Sequence, residues 1–462
     1  MNTKNIIVCK FGGSSVQNST QIKKVAQIVK SDSNRKVVVV SAPGKDEKFC
    51  QKITDHLLNC ATQGKHFAEH KIDISVKESL EQIIGKYEQL CRELKVKSEG
   101  IVDSIKADLT NCKLEEEKKI AYFLSRGEHY NAKLITLFFK SIGIKAEVKL
   151  PEEFGFLLSS DYLNAKILEQ SYENIRKSFE FKEDTVYVVP GFYGITSEKE
   201  IAVLSRGGSD LTGGEFAYAL DAEIYENWTD TNGVYEVDPR IIENANVIPR
   251  LTFKELRLLS SKGFNVFHFN AMLNCKKSKI PINIKNTNNP THEGTLILTE
   301  RVPMEDLVGI AKLDHMASIH IQKDMLGEEI GFSAELLKIF GEFGINTYHY
   351  PTDKDDIAIL VEQEDLRGKI NNLRRQIERR LKTDNIYVTY NLSIITLVGI
   401  GLKENSFAMV DAITALKEKN ISFEMFDMSP SKISFHVGVS QTISDIALQI
   451  LHEKMIVDAN WH

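Results

Sequence analysis

The pattern of apolar and polar positions begins as a buried strand, a turn, a helix and a second buried strand. Residues 6–9 are continuously apolar and are followed by a glycine pair at 12 and 13. Apolar residues then recur at helical spacing between 19 and 29, and residues 37–40 are all valine. Short apolar strands that alternate with amphipathic helices are typical of a parallel sheet covered by helices. The start of the chain is therefore predicted to be α/β.

The same alternation continues to about residue 298. The stretch 48–140 has a mostly helical pattern, and further helices are predicted from near Leu211 and over 252–259. Strands are predicted at 185–189, 201–204, 223–227 and 280–284. These elements fit one large α/β domain, which we predict to span residues 1–298.

The remainder of the chain contains an internal repeat at offsets of 75 to 76 residues. The repeated landmarks are 318–321 with 393–396, 344–346 with 420–422, and 356–359 with 432–435. Each unit has the pattern strand, helix, strand, strand, so two small α+β modules are predicted, at 305–384 and 385–462. Neither contains a cluster of catalytic residue types, which favours a regulatory or assembly role.

Composition and charge indicate an ordinary globular protein, and they do not by themselves indicate a function. The chain has 462 residues and a net charge of −6, which does not indicate a nucleic-acid or membrane partner. We expect neither a signal peptide nor a membrane span, because no apolar run is long enough. None of the six cysteines has C-x-x-C spacing, and Cys9 is expected to be buried. The predicted location is the cytoplasm.

Two segments combine charge with glycine after a predicted strand. In residues 10–15, Lys10 with a glycine pair fits either a phosphate site or a tight turn beside a solvated lysine. In residues 206–210, an arginine beside two glycines can grip a carboxylate with both nitrogens. The alternative for Asp210 is an ordinary helix cap.

Two further segments offer binding groups, each with a plain structural alternative. Glu128, in a helical stretch, can hold an ammonium group or be a surface charge. Residues 228–240 combine an aromatic residue, hydrogen-bond acceptors and an arginine, which can enclose a purine and a ribose. Residues 232 and 233 alone are also typical of a hairpin turn.

In their order along the chain, these segments resemble one family. The matches are 10–15 with K-F-G-G-[ST]-S, 125–128 with S-x-G-E, 191–194 with G-F-x-G, 205–210 with G-R-G-G-S-D except for Ser205, and 228–240 with W-T-D-x-x-G-[VI]-Y-x-x-D-P-R. Residues 41–44 resemble the family's S-A-x-x-G element, with one residue fewer before the glycine. The chain is similar to the monofunctional aspartate kinases of the amino-acid kinase superfamily. The resemblance implies a mainly parallel sheet sandwiched by helices, then two ferredoxin-like βαββαβ ACT modules. No appended homoserine dehydrogenase is expected.

The resemblance also implies an activity and a set of site residues. The activity is ATP-dependent phosphorylation of the side-chain carboxylate of L-aspartate, the first step of lysine, threonine and methionine biosynthesis. Mg²⁺ is expected to arrive with ATP, without protein ligands of its own. Catalysis is assigned to Lys10 and Asp210. Phosphate and ATP binding are assigned to Lys10, Gly12, Gly13, Ser14, Thr229, Asp230, Tyr235 and Arg240. Aspartate binding is assigned to Ser41, Thr54, Glu128, Arg206, Gly207, Gly208 and Ser209.

The sequence departs from the family pattern in several segments. Thr54 follows an insertion, residues 45–51, that many relatives lack. Asn265 stands where the family commonly has a nucleotide-contacting lysine, and Lys262 or Lys285 is the expected substitute. Residues 427–432 replace the family's S-Q-G-x-S-E in the second module.

An amino-acid effector, lysine or threonine or both, is expected to bind the first module. The predicted residues are Met325, Gly331, Phe332, Ser333, Thr347 and Tyr348. Lysine-inhibited relatives carry an aspartate near the end of the second strand, where residues 347–350 read Thr-Tyr-His-Tyr. Pairing of ACT modules between chains implies a homodimer or a dimer of dimers.

Two other functions compete with this interpretation. A glutamate or acetylglutamate kinase would lack the tandem repeat and the complete segment 228–240. A non-catalytic amino-acid sensor is favoured by Asn265 alone. The retention of Lys10, Glu128 and Asp210 with Arg206 argues against a sensor.

Overall fold

The computed structural model describes residues 5–64, 74–97, 99–179, 181–182, 184–205, 207–260, 272–405 and 407–458. The chain forms two compact units. The first comprises Met1–Val234, Val247–Phe253 and Val266–Arg301, and the second comprises Tyr235–Asn246, Lys254–Asn265 and Val302–His462. Two segments inside the predicted range 1–298 thus group with the second unit. The three predicted domain boundaries stay predictions.

The first unit is built around a mainly parallel sheet. Its strands are β1 (Ile7–Phe11), β2 (Arg35–Val40), β3 (Ala146–Val148), β4 (Val186–Pro190), β5 (Tyr193–Ile195), β6 (Ile201–Val203), β7 (Ile224–Thr229), β8 (Arg250–Thr252), β9 (Ile282–Asn286) and β10 (Thr295–Leu298). Eight of them pair in the order β3-β4-β2-β1-β7-β9-β10-β8, and β5 pairs with β6 separately. The β9–β10 pair is antiparallel, and the other pairs in the large sheet are parallel.

Helices cover this sheet, as the alternating pattern predicts. They are α1 (Ser19–Lys30), α2 (Ile53–Thr62), α3 (Val76–Leu94), α4 (Glu99–Thr110), α5 (Glu116–Ser141), α6 (Pro151–Phe154), α7 (Gln170–Ser178), α8 (Gly208–Ala219) and α10 (Leu273–Lys277). The helix α9 (Phe253–Ser260) belongs to the second unit from Lys254 onward. Every residue of β1 is buried, and so are the four valines of β2, because helices pack against both faces. Within the described residues, no helix is both long and apolar enough to cross a membrane.

Glu226 on β7 accepts several hydrogen bonds in the core of the first unit. Arg35 donates from Nε and Nη2 to its two oxygens at 2.8 and 3.0 Å. Trp228 Nε1 donates to Oε2 at 2.9 Å, and Cys9 Sγ lies 3.3 Å from the same oxygen. The planar guanidinium matches the carboxylate and ties the start of β2 to β7.

We expect Arg35→Lys to lower the free energy of unfolding by about 2 kcal/mol, because an ammonium cannot reproduce both charge-assisted hydrogen bonds. Denaturant unfolding at pH 7 measures the change. The matched control is Arg92→Lys on the exposed face of α3, which should stay within about 0.5 kcal/mol of the wild type. Equal stability of Arg35→Lys and the wild type would contradict the assigned role of the pair.

The second unit contains one antiparallel sheet. Its strands are β11 (Gly309–Gln322), β12 (Asp356–Glu362), β13 (Asn385–Val398), β14 (Met425–Met428) and β15 (Ser434–Ser440), in the order β12-β11-β13-β15-β14. Its helices are α11 (Phe332–Glu342), α12 (Ile370–Leu381), α13 (Ala408–Glu418) and α14 (Ser444–His452). The predicted fold class, α/β followed by α+β, is confirmed.

The two repeats share their long strands. The first half of β13 pairs with the second half of β11, and the second half of β13 pairs with the first half of β11. One hydrophobic core lies around α11 and α12, and another lies around α13 and α14. Both β11 and β13 contribute residues to each core. A cut between residues 384 and 385 therefore separates two modules that are continuous in the sheet.

Candidate active site

A cavity of about 760 Å³ lies in the first unit, lined by the turns that follow β1 and β2 and by the first turn of α8. Parallel strands place their carboxyl ends at one edge of a sheet, so the turns after them meet there. The predicted site residues that line it are Lys10, Gly12, Gly13, Ser41, Thr54, Glu128, Gly207, Gly208, Ser209 and Asp210.

Lys10 enters the cavity from the end of β1 and is held by two partners. Its Nζ lies 2.5 Å from Oδ1 of Asp210 in α8 and 3.5 Å from Oδ1 of Asn227 on β7. Asn227 also donates from Nδ2 to Asp210 Oδ1 at 3.1 Å. Only 7% of Lys10 is exposed, so the ammonium group is fixed at the cavity wall.

The turns after β1 and β2 contact each other through backbone atoms. Gly12 donates its N–H to the carbonyl of Trp228, and Gly44 donates to the carbonyl of Gly13. A Cβ atom on Gly44 would lie 2.6 Å from that carbonyl oxygen, so only glycine fits. Ser14 lies in the short 3₁₀ helix Gly13–Val16, outside the described lining of the cavity.

Glu128 on α5 presents a buried carboxylate to the cavity. It is 4% exposed, and its Oε2 has no hydrogen-bond partner among the described residues. Burial raises the pKa of Glu128 to about 8, although the Ala42 N–H opposes this by bonding to the carboxylate. Asn131, one turn along α5, donates to the carbonyl of Ser41 at 2.6 Å and fixes the helix against the turn after β2.

The glycine-rich turn before α8 is only partly described. Gly207 has a φ of +80°, in the left-handed region that favours glycine, and α8 begins at the next residue. The predicted helix start at Leu211 is therefore three residues late, and Asp210 lies in the first turn. Ser209 is buried against Gly191, where a Cβ atom would lie 2.8 Å from the serine Cβ. Arg206 lies outside the described residues.

The first turn of α2 supplies another part of the wall. Thr54 lines the cavity together with Lys52, Asp55 and Leu58. The insertion before this helix makes the match of Thr54 to the family less direct in sequence. The structure nevertheless places Thr54 in the same cavity as Lys10 and Glu128.

The predicted nucleotide residues fall in both units. Thr229 closes β7, and its hydroxyl donates to Asp230 Oδ1 at 3.1 Å. Neither belongs to the described lining of the cavity. Tyr235 and Arg240 belong to the second unit. Arg240 is mostly exposed there and pairs with Asp238, and its hydrogen bonds hold the pKa of Asp238 below the usual value. Their nucleotide role stays a prediction.

Of the expected substitutes for the missing lysine, only Lys285 is described. Its Nζ donates to the carbonyls of His292 and Glu293 at 3.0 and 3.3 Å. Burial lowers its pKa. Lys262 and Asn265 lie outside the described residues.

The predicted effector residues lie on the loop before α11, in the first turn of α11 and on the segment before β12. Met325 is 63% exposed and donates its N–H to Asp355. Phe332 is 2% exposed and packs in the module core, so its side chain is committed to packing. Tyr348 is hydrogen-bonded to Glu362. Gly331 precedes α11, Ser333 lies in its first turn, and Thr347 precedes Tyr348.

Two departures from the family pattern meet in the second unit. His349, from the altered segment 347–350, has its Nε2 3.3 Å from Oδ2 of Asp427, which begins the altered segment 427–432. The ring centroids of His349 and His436 are 6.2 Å apart, and His436 is hydrogen-bonded to Thr396. The altered residues therefore form one polar cluster between neighbouring segments of this unit.

Two residues of the site were missed by sequence reasoning. Asn227 is 3% exposed and pairs in register with Lys10 across β1 and β7. A buried amide inside an apolar strand was the available signal. Lys52 carried no such signal, because an exposed lysine before a helix is ordinary.

Comparison with known proteins decides the family. A model of the amino acid kinase family matches residues 5–286, and a model of the ACT domain matches residues 395–455. Aspartokinase 3 of Bacillus subtilis (strain 168) is 36% identical over 453 residues, covering 97% of this chain and 98% of that protein. The chain belongs to the aspartokinase family. The predicted activity, ATP-dependent phosphorylation of the side-chain carboxylate of L-aspartate, is thereby confirmed.

Solved structures of aspartate kinases share the fold. The Clostridium acetobutylicum enzyme matches with a TM-score of 0.85 at 32% identity, covering 97% of this chain and 100% of that one. Aspartokinase III of E. coli matches in its complex with aspartate and ADP (R-state), with a TM-score of 0.73, 21% identity and coverage of 97% and 99%. Its complex with lysine and aspartate (T-state) gives 0.76, 22%, and 98% and 100%. The likeness to the E. coli enzyme is one of fold.

Proposed function

We propose that the cavity is where the γ-phosphoryl group of ATP passes to the side-chain carboxylate of L-aspartate. The observation that carries this proposal is that one cavity contains a fixed ammonium, on Lys10, and an unpartnered buried carboxylate oxygen, on Glu128. The reaction brings two anions together, and each pair of unit charges at 4 Å repels by roughly 4 kcal/mol at an effective dielectric of 20. Fixed cations and N–H groups offset that repulsion.

Glu128 binds the α-ammonium group of aspartate. Its free Oε2 has room for a donor, and an ammonium would supply both the hydrogen bond and the opposite charge. Arg206 grips the α-carboxylate. The remaining contacts come from Ser41, Thr54, Gly207, Gly208 and Ser209.

Lys10 neutralises the phosphoryl group in transfer, and Asp210 orients Lys10. Gly13 and Ser14 donate hydrogen bonds to the phosphate oxygens, while Gly12, whose N–H is bonded to the carbonyl of Trp228, lets the backbone approach the phosphate closely. A side-chain oxygen of aspartate attacks the γ-phosphorus, and the bond to the β,γ-bridging oxygen breaks, leaving its electron pair on ADP. The attacking carboxylate is already ionised, so no general base is required.

In the first unit, Thr229 and Asp230 are proposed to contact the nucleotide, and Mg²⁺ arrives with it. The family resemblance adds nucleotide roles for Tyr235 and Arg240. No group of three His, Cys, Asp or Glu side chains in the described parts of the chain could hold a metal ion. Mg²⁺ is proposed to be carried by the phosphate oxygens of ATP, where it would offset negative charge.

The enzyme is proposed to act as a homodimer or a dimer of dimers in the cytoplasm. Large apolar side chains of the second unit, Ile330 and Phe407 among them, are mostly exposed in the single chain. All six cysteines are free thiols, which suits a reducing compartment. Sedimentation equilibrium would measure the assembly.

A substrate screen tests the central proposal. ADP formation is measured with a coupled assay in the presence of Mg²⁺ and L-aspartate, L-glutamate or N-acetylglutamate. Turnover should require L-aspartate. A preference for L-glutamate or N-acetylglutamate, or an absence of aspartate-dependent turnover, would contradict the proposal.

Lysine, threonine or both are proposed to inhibit through the first module, by analogy with the E. coli enzyme solved with lysine. Coupling between two sites typically changes affinity 5–150-fold, so we expect a rise of about tenfold in the aspartate concentration that gives half-maximal rate. Assays with lysine, threonine, both together and methionine would measure it. An unchanged aspartate dependence in all four would contradict effector regulation.

A further inference from the structure

The insertion 45–51 is anchored to the core of the first unit by a buried ion pair. Lys86 on α3 is 1% exposed, and its Nζ lies 2.5 Å from Oδ2 of Asp46. The other oxygen, Oδ1, accepts the N–H groups of Lys48 and Phe49 at 3.0 and 2.8 Å. Removing a lysine from water has to be offset by such contacts, so this pair holds the loop in one conformation.

The same anchor extends to an aromatic ring. Phe49 is 5% exposed, and the Lys86 ammonium lies 5.0 Å from its ring centroid. Three residues later, Lys52 precedes α2, where Ile53 and Leu57 are each 1% exposed in the core. The backbone of Lys52 is thus fixed from the loop side and from the helix side.

Lys52 is a cation in a cavity that also contains acidic side chains. Among the described lining residues, the cations are Lys10 and Lys52, and the acids are Asp55, Glu128 and Asp210. Lys10 is already paired with Asp210. Lys52 is exposed and forms no ion pair within the described part of the chain. Both substrates bring negative charge, and an unpaired cation at the cavity wall would offset part of it, in addition to the proposed contact from Arg206.

We propose that Lys52 is a further aspartate-binding residue, which the anchored insertion 45–51 holds at the cavity. This inference rests on the proposed function of the cavity. Lys52 lies two residues before Thr54, which is proposed to bind aspartate, and its ammonium would contact a carboxylate oxygen of the substrate. A phosphate oxygen of ATP has the same chemistry, and the kinetic test separates the two.

The test is steady-state kinetics of Lys52→Met with Lys45→Met as the matched control. Lys45 is an exposed lysine of the same insertion that does not line the described cavity. We expect Lys52→Met to raise KM for aspartate about tenfold, with kcat and KM for ATP within about twofold. Lys52→Arg should restore most of the affinity, and 0.5 M KCl should shrink the difference because salt screens an exposed charge. Lys45→Met should match the wild type.

Calorimetric binding of aspartate by the same variants requires no turnover. Weaker binding by Lys52→Met supports the inference even if phosphoryl transfer itself were absent, which would count against the proposed function alone. Asp46→Asn should raise KM for aspartate in the same direction, because the anchor is weakened. Unchanged aspartate affinity in Lys52→Met, or a rise in KM for ATP instead, overturns the inference.

Discussion

Replacing Lys10 by alanine is expected to lower kcat by about 10²–10³-fold, or roughly 2.7–4 kcal/mol of transition-state stabilisation. Asp210, at 2.5 Å, and Asn227 hold the ammonium in place. It is therefore already positioned to offset the negative charge of the phosphoryl group and the attacking carboxylate during transfer. Its removal also leaves the Asp210 carboxylate facing the phosphates without compensation. Because the lost contact strengthens in the transition state, kcat and kcat/KM should fall together.

The matched control is Lys36→Ala. Lys36 lies on β2 near its amino end, away from the edge of the sheet where the cavity forms. A coupled ADP assay should give wild-type turnover for this variant. Wild-type turnover of Lys10→Ala in the same assay would show that the assigned role is wrong.

The second large effect is expected for Glu128→Gln, which should lower kcat/KM for aspartate about 100-fold at pH 8.5. An amide keeps the shape but cannot offer a charge to the α-ammonium group. In the wild type, burial raises the pKa of Glu128 to about 8, so kcat/KM should climb with pH up to that value as the carboxylate ionises. The variant should lack this climb.

Proton release provides a direct readout of the same residue. Because burial raises the pKa of Glu128 to about 8, we expect the unliganded wild type to be mostly protonated there at pH 7 and to release the proton when the ammonium group binds. Calorimetry in buffers of different ionisation enthalpy should find close to one proton released with aspartate by the wild type and none by Glu128→Gln. Glu117→Gln, an exposed acid at the start of α5, is the control and should behave as the wild type. Equal proton release by the wild type and Glu128→Gln would refute the assignment.

The raised pKa of Glu128 also makes unliganded stability depend on pH. Between the usual value of 4.5 and about 8, the folded state binds more protons than the unfolded state, so the free energy of unfolding falls as pH rises. The slope is at most about 1.4 kcal/mol per pH unit. Glu128→Gln should remove this decline, and aspartate should restore stability to the wild type. The buried Glu128 carboxyl is therefore expected to lower the free energy of unfolding of the unliganded protein, and bound aspartate is expected to offset that loss.

The sequence predicted β1, β2, β4, β6, β7 and β9 of the first unit, and it missed the short strands β3, β5, β8 and β10. Residues 37–40 and the start of β1 could be buried only in a covered parallel sheet, and they are. The positions of Lys10, Glu128 and Asp210 in one cavity followed from family motifs. The motifs alone did not predict the 2.5 Å ion pair between Lys10 and Asp210, or the unpartnered Oε2 of Glu128.

The remaining features depend on contacts between distant parts of the chain. Asn227 reaches Lys10 through the register of β1 with β7, and Asp46 finds Lys86 only after α3 packs. The repeat predicted two consecutive modules, whereas β11 and β13 each pass through both cores. The local pattern of apolar residues does not predict that one strand contributes to two cores, because half of a long strand has the same alternation as a separate short strand.

The most direct test of the account follows the side-chain oxygens of aspartate. The enzyme is supplied with ATP, Mg²⁺ and aspartate labelled with oxygen-18 in its side-chain carboxylate, and hydroxylamine traps the acyl phosphate at its carbonyl carbon. That trapping breaks the carbon–oxygen bond, so the bridging oxygen leaves with phosphate. Attack by aspartate should leave one oxygen-18 atom in each phosphate released, as measured by mass spectrometry. Phosphate without the label would mean that water, and not aspartate, attacks ATP, and would contradict the account.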